Sequence, residues 1–149
     1  MSLIISSLEG YSISNSLNTK LKSVFKTICI EENLSEISIN LRIINDKEMT
    51  ELNRKFRNKD SSTNVLSFTN EDISKTITGN LGDIAINYDY LERESKEQSK
   101  SFDDHMIHML VHGIYHILGF DHKNDEIAKV MERKEITLLN KFKIDNPYN

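Results

Sequence analysis

The chain has 149 residues, 38% of them hydrophobic, which suits one domain with a modest core. Its net charge of −4 does not announce a nucleic-acid partner, and no apolar run reaches the ~18 residues of a membrane span. The lone cysteine, Cys29, excludes an intrachain disulfide, and Met1-Ser2-Leu3-Ile4-Ile5 lacks the basic start and small-residue cleavage site of a signal peptide, so a cytoplasmic location is expected.

Leu3-Ile4-Ile5 is a short strand candidate. Ser14, Asn15 and Ser16 offer caps for a helix with Leu17, Leu21, Val24, Phe25 and Ile28 on one face and Cys29 in the core. Ile37, Ile39, Leu41 and Ile43 alternate with Ser38, Asn40 and Arg42, the two-residue period of a strand. Asn45 or Asp46 caps a second helix whose inner face is Met49, Leu52 and Phe56. Val65 to Phe68 is a strand, Thr69 to Asn80 a polar stretch expected to be a mobile loop, and Leu81 to Ile86 the next strand. Tyr88 to about Lys100 is a charged helix. Ser101 and Asp104 then cap a strongly apolar helix, and a last helix begins near Asn124 with Ile127, Val130, Met131, Lys134 and Leu138 in line. The order β-α-β-α-β-β-α-α-α, without repeats or linkers, predicts one α+β domain over residues 1–149, a small mixed β-sheet packed with helices around a central buried histidine-bearing helix. The second and third strands, joined through a helix, are expected to be parallel with a right-handed crossover.

The apolar helix carries the chemistry. Met106, Ile107, Met109, Leu110, Val111, Ile114, Tyr115, Ile117 and Leu118 cover nearly its whole circumference, which predicts burial. Its polar stripe is His105, His108, His112 and His116, and buried imidazoles need partners. From His112 to His122 the chain reads H-x-x-x-H-x-x-G-x-x-H. His112 and His116 share a helix face. Gly119 can take the left-handed conformation that ends a helix and turns His122 back to the same point. Three imidazoles with one coordination position open describe a catalytic zinc site, one ion per chain, although nickel or copper accept the same donors. His108, one turn before His112, is a candidate to support a ligand from behind. Asp121 is either such a supporting acceptor or a polar residue of the turn. His105, nearest the helix start, is expected to be solvated.

Zinc peptidases of the H-E-x-x-H type place a glutamate general base after the first ligand. Gly113 stands there and cannot take a proton, which counts against peptidase activity. Arg54, Lys55, Arg57 and Lys59 put four cations into six residues, with Asp60 the nearest acid. On charge alone that cluster reads as a solvated helix end.

These residues resemble the YbeY family of single-domain metal-dependent endoribonucleases. His112-Gly113-Ile114-Tyr115-His116-Ile117-Leu118-Gly119-Phe120-Asp121-His122 is similar to the family's histidine motif. Leu52 to Asp60 followed by Thr63 to Phe68 resembles its second block, Gly82 to Ile86 its short Gly-Asp strand, and Asp145 to Tyr148 its tail. Thr69 departs from the proline that many members carry there. The resemblance implies single-strand-specific cleavage of ribosomal RNA, especially in maturing the small-subunit 3′ end, and a part in ribosome quality control. It implies ribosomal RNA and ribosome-associated proteins as partners, and neither DNA nor membrane. It also implies zinc at His112, His116 and His122 and an important arginine at Arg57. With the matching block in view, Arg54, Lys55 and Lys59 become RNA-binding candidates.

Zinc held by three imidazoles can lower the pKa of bound water from about 15.7 to about 7 and polarise a phosphoryl oxygen. RNA brings its own nucleophile, the 2′-hydroxyl, so the missing glutamate matters less; attack by water and attack by the 2′-hydroxyl both stay open. Arg57 can hold a phosphate by two parallel hydrogen bonds. Asp83 reads equally as a strand-start acid or a wall of the site. A non-catalytic zinc-containing ribosome-assembly factor, or a metallohydrolase of another substrate such as a peptide, are the alternative functions.

Overall fold

A computed structural model describes residues 2–70 and 79–149. Residues 71–78 of the expected mobile loop lie outside the described residues; Thr69 and Asn80 belong to strands. In chain order the elements are β1 (Ser2–Ser7), α1 (Asn15–Glu31), β2 (Ser38–Ile44), α2 (Asp46–Arg57), β3 (Val65–Thr69), β4 (Asn80–Asn87), α3 (Tyr88–Glu97), α4 (Phe102–Ile117) and α5 (Asp125–Lys141). Each of these helices starts on a serine or asparagine whose side chain accepts a main-chain N–H three residues on: Ser14, Asn45, Asn87, Ser101 and Asn124. Such a cap contributes about 1 kcal/mol by satisfying a donor that the helix itself leaves open.

The sheet runs β1-β2-β4-β3, with β1, β2 and β4 parallel and β3 antiparallel to β4. The expectation that the second and third strands are parallel is therefore corrected. β4 inserts between them, and β3 reverses to take the edge. Burial explains the exchange. Ile84, Ala85 and Ile86 are all buried and need both faces of their strand covered, which only a central position gives. β3 buries Leu66 alone and tolerates an edge.

The two faces of the sheet have separate cores. On one, Ile39, Leu41, Ile43, Ile84 and Ile86 meet α1, α4 and α5. On the other, Met49 of α2 closes over Ile44, Leu66 and Ala85. Fully buried side chains such as Leu110, Ile28 and Leu138 each contribute about 1.5–3 kcal/mol. α4, buried along most of its length, packs against β3, β4, α1, α3 and α5.

Two helix faces differ from expectation. In α2 Met49 is buried and Leu52 packs against the core as expected, but Asn53 is buried beside them, while Phe56 is exposed and meets Phe68 edge-on at 5.3 Å. In α5 Ile127 and Val130 face outward, and the buried stripe is Met131, Glu135, Leu138 and Leu139. Both substitutions bring a polar side chain inward to satisfy buried partners elsewhere.

Candidate metal centre and its cleft

Gly113 sets how close α4 comes to the sheet. A Cβ there would stand 3.0 Å from Ile84 Cδ1 and 3.1 Å from Ser67 Oγ. Residue 113 thus faces the strands, and a glutamate at this position would be driven into them rather than toward the histidines.

Helix α4 ends as its glycine predicts. Gly119 has φ +103°, its N–H bonds His116 O at 3.0 Å, and Phe120 N–H bonds Tyr115 O at 3.0 Å. This crossed pair is the Schellman arrangement, sealed by the Tyr115 and Phe120 rings 5.6 Å apart. The reversed chain carries His122 to the other two histidines. Ring centroids lie 4.7 Å apart for His112 and His116, 4.9 Å for His116 and His122, and 5.9 Å for His112 and His122. One ligand atom from each can be chosen so that all lie within 4.8 Å of one another. Burial lowers the pKa of His116, with the neighbouring His112 and His122 adding to it, and so favours the neutral ring that a metal needs.

Behind the histidines sits Glu135, fully buried. Its Oε1 accepts from His112 Nδ1 at 3.2 Å, His108 Nε2 at 3.0 Å and the Tyr148 hydroxyl at 3.0 Å. Burial pushes this carboxyl up, but the hydrogen bonds from His108 and His112 outweigh it and hold it below the usual carboxylate range. With a carboxylate at Nδ1, His112 carries its proton there and leaves Nε2 free toward the cleft. His108 thus shares Glu135 with His112 and does not touch it by hydrogen bond. His105 is buried, against expectation, because Glu94 of α3 reaches its Nε2 at 2.9 Å. Asp121 bonds the main-chain N–H of His122 at 2.6 Å and pairs with Lys123, the behaviour of a turn residue. Asp83 bonds Asn40 at 2.8 Å on the sheet face away from α4 and is no wall of the site.

The three histidines open on a cleft of about 410 Å³ that Arg57 and Lys59 also line. Buried asparagines put the cations there. Asn53 Nδ2 bonds Ser61 O at 2.9 Å and Thr63 Oγ1 at 3.1 Å, and Asn87 Nδ2 bonds Asp46 Oδ1 at 2.8 Å and Ser62 Oγ at 2.6 Å. These bonds fold the segment after α2 back over β3. Arg54 is instead paired with Asp60, and Lys55 lies over the Phe56 ring at 5.2 Å; neither lines the cleft. Sequence reasoning missed Glu135, Tyr148 and Asn53. The available signal was a polar residue on an otherwise apolar helix stripe in α2 and in α5.

Three converging imidazoles, one backed by a buried carboxylate, and facing cations on one cleft define a candidate metallohydrolase site acting on an anionic substrate. The model of the endoribonuclease YbeY family matches residues 5–143, and the chain belongs to that family. The endoribonuclease YbeY of Francisella philomiragia is 39% identical over 132 residues, covering 86% of this chain and 84% of the relative. That of Francisella tularensis subsp. novicida is 40% identical over 135 residues, covering 86% and 82%. The solution structure of a Thermotoga maritima protein has the same fold, with TM-score 0.63, 22% identity and coverage of 95% and 92%.

Proposed function

We propose that this chain is a zinc-dependent endoribonuclease that cuts single-stranded RNA, acting in ribosomal RNA processing at the small-subunit 3′ end and in ribosome quality control. Residues 1–149 work as one catalytic domain in the cytoplasm, with ribosomal RNA and ribosome-associated proteins as partners. The reading is carried by one observation: the His112, His116 and His122 donors share a cleft with Arg57 in a chain of the endoribonuclease YbeY family.

The donor set fits zinc. Three imidazoles converge, and no fourth histidine, cysteine or acid joins them among the described residues, so one coordination position stays open. Zinc bound there supplies Lewis acidity toward water or a phosphoryl oxygen. The protein supplies the rest. Glu135 fixes the tautomer and direction of His112. Arg57 forms no ion pair among the described residues, and so its guanidinium is free to hold a phosphate and stabilise charge developing on it. Lys59 adds positive charge to the same wall, with Arg54 and Lys55 farther along as contacts for the flanking strand. Gly113, pressed on Ile84 and Ser67, disfavours a peptidase of the H-E-x-x-H kind.

The test is cleavage of ribosomal RNA precursors by purified zinc-loaded protein, with His116→Ala as control. Cleavage lost in the variant supports the reading. Intact RNA with a folded, zinc-loaded wild type would favour an assembly factor without catalysis.

A further inference from the structure

We infer that the edge of β3 left unpaired among the described residues is the rail on which substrate lies: its outward main-chain groups at Val65, Ser67 and Thr69 bind the sugar–phosphate backbone of an extended single-stranded RNA. The inference rests on the RNA reading given above and adds where the strand runs and what holds it.

The ladder fixes which groups point outward. Asn87 N–H bonds Asn64 O at 2.9 Å, and Asn70 N–H bonds Leu81 O at 2.9 Å. In an antiparallel pair the main-chain bonds alternate, so Leu66 and Phe68 also turn theirs to β4. The N–H and C=O of Val65, Ser67 and Thr69 then face away from the sheet. Among the described residues no strand pairs with this side.

The helices place that edge at the site. α4 covers one face of β3 and brings the histidines; α2 lies over the other face, where Phe56 meets Phe68, and ends at Arg57. The cleft between the histidines and Arg57 therefore has the β3 edge as its floor, and Val65, Ser67 and Thr69 line it. A chain held between the ion and the arginine runs along this strand.

Charge selects the occupant. The lining contains Arg57, Lys59 and three histidines and no carboxylate, which suits a polyanion rather than a neutral peptide. The outward N–H groups repeat every two residues, roughly 6.8 Å, and donate to phosphate or sugar oxygens. The outward carbonyls accept from 2′-hydroxyls, a contact that DNA cannot offer.

Proline at an outward edge position removes one donor without touching the ladder. Val65→Pro and Thr69→Pro, with Val65→Thr as a control that keeps the N–H, are to be compared with wild type as zinc-loaded full chains. The readouts are zinc content, melting temperature, and KM and kcat on a single-stranded oligoribonucleotide. Anisotropy measures binding of the same RNA and of the matching oligodeoxyribonucleotide. Each proline is expected to raise KM and Kd for RNA about tenfold, with kcat, zinc and melting temperature near wild type. It should also narrow the preference for RNA over DNA, and Val65→Thr, which keeps the N–H, should shift KM and Kd much less than Val65→Pro. If Val65→Pro does not fold, Thr69→Pro at the exposed end of the strand decides. Wild-type KM and Kd in a folded proline variant overturn the inference while leaving the RNA reading intact. A zinc-loaded wild type that neither binds nor cuts single-stranded RNA overturns that reading, and the rail with it.

Discussion

Glu135 and His112 lie 23 residues apart in sequence, yet the Glu135 carboxylate accepts the His112 Nδ1 proton at 3.2 Å. A buried acid on α5 thereby aims a histidine of α4. Replacing it by glutamine keeps the size and removes the charge. Glu135→Gln is expected to lower zinc affinity by about 10–100-fold, the usual effect of losing a partner behind a metal ligand. Competition with a chelator measures this. Affinity equal to wild type in a folded variant would mean that packing alone orients His112.

Gly119→Val tests the turn. A Cβ at 119 meets nothing within 4 Å, so crowding is not the penalty; φ +103° is, and a β-branched residue disfavours it by roughly 1–3 kcal/mol. The variant should bind zinc as poorly as His122→Ala, both well below wild type. Tight zinc binding by a folded Gly119→Val protein would show that His122 arrives by another backbone path.

Arg57→Ala is expected to leave the fold and zinc content unchanged and to slow RNA cleavage by about two orders of magnitude or more. Arg57 is exposed and unpaired among the described residues, so its removal costs stability on the order of 0.5 kcal/mol at most. Single-turnover cleavage separates the outcomes, and an unfolded variant would make the residue structural.

Gly113→Glu restores the letters of a zinc peptidase motif but not its geometry. The side chain meets Ile84 and Ser67 at once. Destabilisation of about 1–3 kcal/mol is expected, with no peptidase activity. Thermal melts and a casein digest check both halves of that statement.

Asp46, at the start of α2, gives the fold an acid-sensitive link. Arg93 of α3 holds it by two hydrogen bonds at 2.8 and 3.0 Å, and its carboxyl lies well below the usual range. A depressed native pKa contributes stability that is fully present above the unfolded value of about 3.9 and fades as pH falls through the native one. Wild type should therefore exceed Asp46→Asn in denaturant melts at pH 7, and the gap should shrink below about pH 3.9. A gap that is the same at both pH values would mean that the charge plays no part.

The histidine spacing, Gly119 and the apolar girth of α4 were legible in the chain because they are local. Four residues per turn put His112 and His116 together, and only a left-handed turn brings His122 back. Helix caps at Ser14, Asn45, Ser101 and Asn124 were legible for the same reason, each being a contact over three residues. What tertiary structure alone decided depends on pairings between distant segments. The insertion of β4 between β2 and β3 reversed the expected strand relation. The burial of Glu135 and His105 needed α3 and α5 to dock on α4 before their partners existed. Charge alone did not divide the cation cluster, from which only the family resemblance set Arg57 apart; in the fold Asp60 captures Arg54, and Arg57 and Lys59 line the cleft. Sequence patterns report periodicity and backbone freedom; which side chain satisfies which buried atom is settled only when the helices meet.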